Sequence, residues 1–273
     1  MRASARVEHA SATTARAILP QATGIVQRCS ARDPAPGSDR LTSPGTRTYL
    51  VAMSPPTLDD VLPLTIDELL TTTRAVRRRL DLERPVPRAV VEKCLELAFD
   101  APNGSNQQPW RWVLVDDPST KERMAQIYRD AMDDYIRQPG EKVASSADYA
   151  TPAGQRIAVS VYHLREHLHE VPVLVVPAVT GRLEEAGIFE QASLWGSILP
   201  AVWSFMLALR SRGLGSAWTT LHLHREREMA ELLGIPHDRM TQAGLFPVAY
   251  TIGTRFRRGD RARSAKTVRW NHW

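Results

Sequence analysis

Ala101-Pro102-Asn103-Gly104-Ser105-Asn106-Gln107-Gln108-Pro109-Trp110 joins two segments of different periodicity, and this junction decides the fold class. On its N-terminal side, Arg88–Asp100 puts Val90, Val91, Cys94, Leu95, Ala98 and Phe99 on one side of a helix. Pro87 fits the start of that helix, because its missing N–H would have had no intrahelical partner. On its C-terminal side, Trp110-Arg111-Trp112-Val113-Leu114-Val115 is aromatic and β-branched, which reads as a strand. A helix turning directly into a strand predicts a domain of mixed composition.

The rest of the chain extends this pattern. Leu62, Ile66, Leu69 and Leu70 recur at helical spacing within Leu58–Arg78. Ser119 with Glu122 three residues on predicts a capping box opening a helix to about Arg137. Residues 138–156 are polar, with Gly and Pro, and read as a loop or lid; Ile157–His169 reads as a helix and Val171–Val179 as a short buried strand. Ile188–Arg212 is apolar on most of its sides, which predicts a central helix, stopped by Gly213-Leu214-Gly215. Ser216–Leu221 is predicted as a strand, Arg225–Leu233 as a helix ended by Gly234, and Thr241–Gly253 as a further strand before a basic tail, Thr254–Trp273. Helix exceeds strand and the two alternate, so a two- or three-layer α/β or α+β domain follows.

Three segments carry candidate chemistry. Thr73-Arg74-Ala75-Val76-Arg77-Arg78-Arg79 places four arginines within six residues at or near a helix end. A planar guanidinium makes charge-assisted bonds to phosphate oxygens; a solvated basic face is the plainer reading. The junction 101–110 holds four amides, a serine and a glycine, which suits a flavin, a sugar or a peptide, and equally a polar turn. Gly213-Leu214-Gly215-Ser216-Ala217-Trp218-Thr219-Thr220 combines glycines, which admit close backbone approach, with hydroxyl donors; a helix C-cap also explains Gly213.

Taken together, these segments resemble the nitroreductase family. Its Arg-Ser-x-Arg-like element is matched by Arg74-Ala75-Val76-Arg77, followed by Pro85-Val86-Pro87. Its Ala-Pro-Ser-x-x-Asn-x-Gln-Pro-Trp element is matched by Ala101-Pro102, Asn106 and Gln108-Pro109-Trp110. Gly213-Leu214-Gly215 with Trp218-Thr219-Thr220 matches the Gly-Leu-Gly turn, and Ile252-Gly253 with Arg261 or Arg263 the basic C-terminal element. The chain departs from the pattern at Thr73, Ala75 and Asn103. The likeness covers about residues 65–273.

The resemblance implies an α+β fold, a three-layer sandwich whose central mixed, mostly antiparallel sheet is flanked by helices, in an intertwined homodimer. It implies FMN as cofactor and NADPH or NADH as electron donor, with ping-pong transfer to a small planar acceptor such as a nitroaromatic or quinone. Arg74, Ala75 and Arg77 would hold the FMN phosphate or ribityl chain, with Arg261 or Arg263 reaching the phosphate from the tail. Asn106 and Gln108 would contact the ribityl chain or ring, and Gly215, Thr219 and Thr220 would lie beside the flavin. No side-chain catalyst is required, because the flavin carries the hydride chemistry. Tyr149 and Tyr162 are candidate stackers in a lid over 135–165. A flavin-binding protein without efficient turnover is the alternative within the family.

Composition narrows the remaining classes. Apolar residues make up 43% and charged residues 24%, sufficient for an ordinary core. Net charge is +5, but residues 1–52 hold seven arginines against three acids, so the basicity is largely N-terminal and no nucleic-acid partner is expected. That segment is expected to be a disordered extension, with Met53 a second candidate start and 53–273 the folded domain. Two cysteines suggest no disulfide framework and fit a reducing, cytoplasmic setting. No uninterrupted run of 18 apolar residues occurs, so no membrane span is expected. His163-Leu164-Arg165-Glu166-His167 matches a zinc-protease pattern, leaving a zinc hydrolase as the competing class.

Overall fold

The computed structural model describes residues 60–137, 151–259, 261 and 267–273. The extension expected over 1–52, the lid candidate Tyr149 and the tail candidate Arg263 lie outside the described residues.

The elements run α1 (Ile66–Thr72), α2 (Arg88–Phe99), β1 (Trp110–Val115), α3 (Pro118–Arg137), α4 (Pro152–His167), β2 (Val173–Thr180), α5 (Ile188–Ser211), β3 (Leu214–Gly215), α6 (Glu226–Leu233), β4 (Met240–Gln242) and β5 (Phe246–Tyr250). The sheet order is β1-β2-β5-β3, with β4 also on β2, and every strand pair is antiparallel. The parallel component is a single bridge, Ala75 to Ser216.

Alternation along the strands builds three layers. On β2, Val173, Val175 and Val179 face a core shared with α2 and α5, while Leu174 and Val176 face one shared with α3, α4 and α6. On β5, Phe246, Val248 and Tyr250 join the first core and Ala249 the second. Period-two side-chain alternation gives each face of the sheet its own helical cover. The result is the α+β sandwich expected from the sequence.

Local chemistry sets the boundaries. Thr65 and Glu68 form a full capping box at α1. The helix expected over 58–78 shrinks to seven residues: the Thr73 N–H still bonds Leu69, but beyond it the backbone turns extended to pair with Ser216. The capping box expected from Ser119 and Glu122 does not form. Asp117 does that work, accepting from the Thr120 N–H and from both the Ser119 and Thr120 hydroxyls at 2.7 Å. Those three donors hold its carboxyl down at about 2. The strand expected over Ser216–Leu221 does not form beyond isolated bridges at Ser216 and Thr219, with the two-residue β3 just before it, and that expected over Thr241–Gly253 is split into β4 and β5 at Gly244, φ +151°.

Helix α5 is long and apolar enough, by length and composition, to cross a bilayer. Ile198, Val202, Phe205 and Leu209 on it are instead packed into the α2 core. Ile188, Phe189 and Trp203 on the same helix stand exposed.

Candidate functional site

The arginine segment reaches the sheet because one glycine admits it. Val76 N–H bonds Ser216 O at 2.8 Å, and Leu80 bridges Thr251, so residues 75–80 lie along the β3–β5 edge. A Cβ on Gly215 would meet Thr251 Cγ2 at 2.7 Å and Val76 Cβ at 3.0 Å. Gly215 therefore makes room for the arginine segment rather than for a ligand.

Arg79 folds the tail back onto this segment. It donates to the carbonyls of Ile252, Gly253 and Arg255 at 2.6–3.0 Å, and its guanidinium lies 4.1 Å from the Phe256 ring centre. Arg74 Nη1 donates to Arg257 O at 3.2 Å. These contacts carry Arg258 and Arg261 to a cleft of about 300 Å³ lined also by Thr71, Thr73, Arg74 and Trp203. None of its described lining residues is acidic. Arg210 is buried, bonds Thr72 through one nitrogen, and leaves Nε and Nη1 without a hydrogen-bond partner. Burial and the nearby Arg79 both push its pKa down. Excess guanidinium charge, hydroxyls and orphaned donors suit a phosphate-bearing ligand.

The Gly-Leu-Gly segment continues from this cleft. Ser216 Oγ is buried and unpartnered beside Ala75. Thr219 is held by two backbone hydrogen bonds to Leu245, and its Oγ1 lies 2.9 Å from the phenol oxygen of buried Tyr128. Arg77, half-buried, places its charge near that phenol. Thr220 is exposed at the start of a 3-10 turn.

The junction loop is anchored on α5. Its Gly104 N–H bonds Ser197 Oγ on α5, Gln108 Nε2 bonds Asn106 Oδ1 at 3.2 Å, and Gln108 N–H bonds Asn103 Oδ1 at 2.9 Å. Ser105, Asn106 and Gln108 adopt φ of 50°, 53° and 48°. Each such residue costs on the order of 1–3 kcal/mol, and such strain concentrates at binding loops. One chain thus presents two clusters: Arg74, Ala75, Arg77, Gly215, Thr219 and Arg261 along one edge, and Asn106 with Gln108 on the loop between α2 and β1.

The nitroreductase family profile matches residues 70–250, which takes in the junction loop and every residue of the edge cluster except Arg261. The chain belongs to the nitroreductase family. It is 26% identical over 192 residues to iodotyrosine deiodinase 1 of Rattus norvegicus, which covers 67% of this chain and 61% of that protein. The chain therefore spans about three-fifths of that relative's length. In structure it is similar to an oxidized iodotyrosine deiodinase bound to FMN and 3-iodo-L-tyrosine, with a TM-score of 0.58 and 22% identity over 77% of this chain and all of the other. It is similar also to an FMN-dependent nitroreductase from Mycobacterium smegmatis in complex with NADPH, with a TM-score of 0.56 and 18% identity over 76% of this chain and 97% of the other.

The zinc-protease pattern does not assemble a ligand set among the described residues. His163 and His167 do lie together on α4, with ring centres 4.5 Å apart and planes tilted by 40°. Glu166, however, pairs with Arg165, and His167 pairs with Glu170. Among the described residues no three His, Cys, Asp or Glu side chains converge on a metal position. Tyr162 is exposed on the same helix.

Sequence reading missed Arg258, which lines the cleft, and three further contributors. Tyr128 is one of the buried side chains of α3, with Met124 and Ala131, and a buried phenol calls for a partner. Ser216 lay within the quoted glycine segment, but its unpartnered state is a product of packing. Trp203 on α5 reaches the cleft although the sequence shows only a central apolar helix.

Proposed function

We propose that this protein is an FMN-dependent oxidoreductase that takes electrons from NADPH or NADH and passes them to a small planar acceptor, working as a homodimer. The observation that carries the reading is the cleft in which Arg74, Arg258 and Arg261 converge with Thr71 and Thr73. Its guanidinium groups and hydroxyls match a dianionic phosphate ester, and the unpartnered Ser216 Oγ lies farther along the same edge. The residues present fit FMN.

Arg74 and Arg261 would hold the phosphate, with Arg77, half-buried beside Tyr128, adding positive potential between cleft and Thr219. Arg263 would add to the tail's contribution. Ala75 offers backbone only, so Ser216 would supply the hydroxyl next to it. Gly215 sets the spacing between the arginine segment and this edge. FMN, when bound, supplies the hydride chemistry itself. Thr219 and Thr220 would face its ring, and low local dielectric would strengthen whatever hydrogen bond Thr219 makes there.

The dimer follows from what one chain leaves incomplete. Asn106 and Gln108 bond within their own loop, and Ile188, Phe189 and Trp203 of α5 are exposed. Burying that helix face in a second copy would cover the exposed side chains and bring a second junction loop near the cleft.

A second reading, reductive dehalogenation of a halogenated phenol, is favoured by the likeness to iodotyrosine deiodinase. Turnover decides between them. The purified protein is supplied with NADPH or NADH and a nitroaromatic or a benzoquinone, and separately with 3-iodotyrosine under chemical reduction. Consumption of NAD(P)H with the first acceptors supports the main reading. Iodide release without NAD(P)H oxidation replaces it with the second.

A further inference from the structure

Residues 252–259 follow β5 without helix or strand, and every residue from Ile252 to Arg258 is exposed except Phe256. Phe256 is half-buried and packs against the core on the α3 side of the sheet. One aromatic ring thus supplies the apolar contact that an otherwise polar segment lacks.

Two guanidiniums meet that ring. Arg79 Cζ lies 4.1 Å and Arg210 Cζ 4.9 Å from its centre, both within reach of cation–π attraction. Arg79 spends its nitrogens on the carbonyls of Ile252, Gly253 and Arg255, so it grips the tail at backbone and ring together. Arg210 is buried with a single hydrogen bond, to Thr72, and the Phe256 ring stands against the rest of its charge.

This docking brings like charges together. Arg255, Arg257 and Arg258 of the tail are set against Arg74, Arg79 and Arg210 of the body, and among the described residues none of the six is paired with a carboxylate. Their repulsion opposes docking until an anion offsets it. Arg74 from the body and Arg258 from the tail line the same cleft. A phosphate there would bond both sides at once, so its binding and the docking of the tail favour each other by linkage.

We propose that Phe256 is a positioning residue: its ring, held by Arg79 and Arg210, docks the tail so that Arg258 reaches the cleft, and a phosphate group bound between Arg74 and Arg258 locks that docking in return. The proposal rests on the reading of the cleft as the phosphate end of the FMN site.

The test compares the full-length wild type with Phe256→Leu, which keeps apolar bulk without a π face, and Phe256→Tyr, which keeps the face. Three quantities are measured: affinity for FMN; affinity for riboflavin, which lacks the phosphate; and the rate of trypsin cleavage after Arg255, Arg257 or Arg258, located by mass, in chloride and in inorganic phosphate of equal ionic strength. In the wild type, phosphate and FMN should each slow this cleavage relative to chloride. Phe256→Leu should lose the protection and bind FMN about tenfold more weakly, the order expected for two cation–π contacts, with riboflavin affinity unchanged. Phe256→Tyr should behave as the wild type. Equal losses of FMN and riboflavin in Phe256→Leu overturn the proposal, since Phe256 would then support the fold at large. So does an FMN affinity equal to the wild type, or a Phe256→Tyr as weak as Phe256→Leu. A wild type that binds FMN but is cleaved alike in chloride, phosphate and FMN overturns the coupling and spares the flavin reading. Protection by inorganic phosphate in a protein that binds no FMN keeps the coupling and removes the flavin. A wild type that responds to neither overturns both.

Discussion

Gly215→Ala tests the link between packing and site most sharply. The added methyl would sit 2.7 Å from Thr251 Cγ2 and 3.0 Å from Val76 Cβ, where ordinary contact begins near 3.4 Å. Thr251 cannot rotate away freely, because its Oγ1 donates to Gly213 O at 3.1 Å. Val76 Cβ is fixed by its backbone, which bonds Ser216 at 2.8 Å. The Gly215 backbone is not left-handed, so the cost is steric alone. Overpacking of this kind costs about 1–3 kcal/mol, and two contacts on the backbone-held side place it at about 2–3 kcal/mol. For a domain of this size that lowers Tm by roughly 4–12 °C. The displaced Val76 also carries Arg74 and Arg77, so FMN affinity should fall on the order of tenfold or more, as expected for losing one charge-assisted bond. The assays are a thermal melt of the apoprotein and a flavin-fluorescence titration. Gly187→Ser is the control: nothing lies within 4 Å of its Cβ, and serine there gains a capping oxygen for α5. If Gly215→Ala melts with the wild type and binds FMN equally well, the close-approach argument is wrong.

The remaining predictions concern titration and the tail. His222 is fully buried, and burial depresses its pKa to about 4 from 6.5. It is neutral when folded and takes a proton when unfolded, so stability is full above pH 6.5 and falls by about 3 kcal/mol toward pH 4. His222→Leu should flatten Tm against pH over that window; an unchanged slope would refute it. Asp117, held at about 2 by its hydroxyl and N–H donors, contributes stability above its ordinary value of 3.8 that is lost as pH falls through 2. Asp117→Ala should lower Tm at neutral pH and leave a shallower decline between pH 4 and 2. Arg79→Ala removes the bonds to Ile252, Gly253 and Arg255 and the Phe256 contact. It should make residues 252–259 sensitive to limited proteolysis and weaken FMN binding about tenfold or more, if the tail supplies phosphate contacts.

What the sequence made legible was whatever depends on local periodicity. Helix α2 and strand β1 stand where the junction 101–110 predicts them, because a helical stripe and an aromatic, β-branched run declare themselves without tertiary help. The three-layer architecture came from the family resemblance, and the opposite-facing valines and leucines of β2 show why it holds. Illegible features arise from long-range pairing. Strand β3 is two residues long and exists because Phe246–Tyr250 lies beside it. The extended course after Thr73 is imposed by Ser216, and no local signal in Arg74–Arg79 competes with the helix pattern before it. Asp117 outbid Ser119 as the cap because its carboxylate accepts three bonds at once. At the site, residue types announced phosphate chemistry, whereas the bonding of Asn106 and Gln108 within their own loop and the Tyr128–Thr219 contact needed the fold.

The central claim is that the arginine-lined edge holds FMN and that NADPH or NADH reduces it. The most direct measurement is the visible absorption spectrum of the purified full-length protein, taken under anaerobic conditions before and after addition of NADPH and then NADH. The account predicts a yellow protein, or one that turns yellow on taking up added FMN, whose flavin band bleaches with at least one of the two nucleotides. A colourless protein that binds no added FMN, or a bound flavin that neither nucleotide bleaches within minutes, would contradict it.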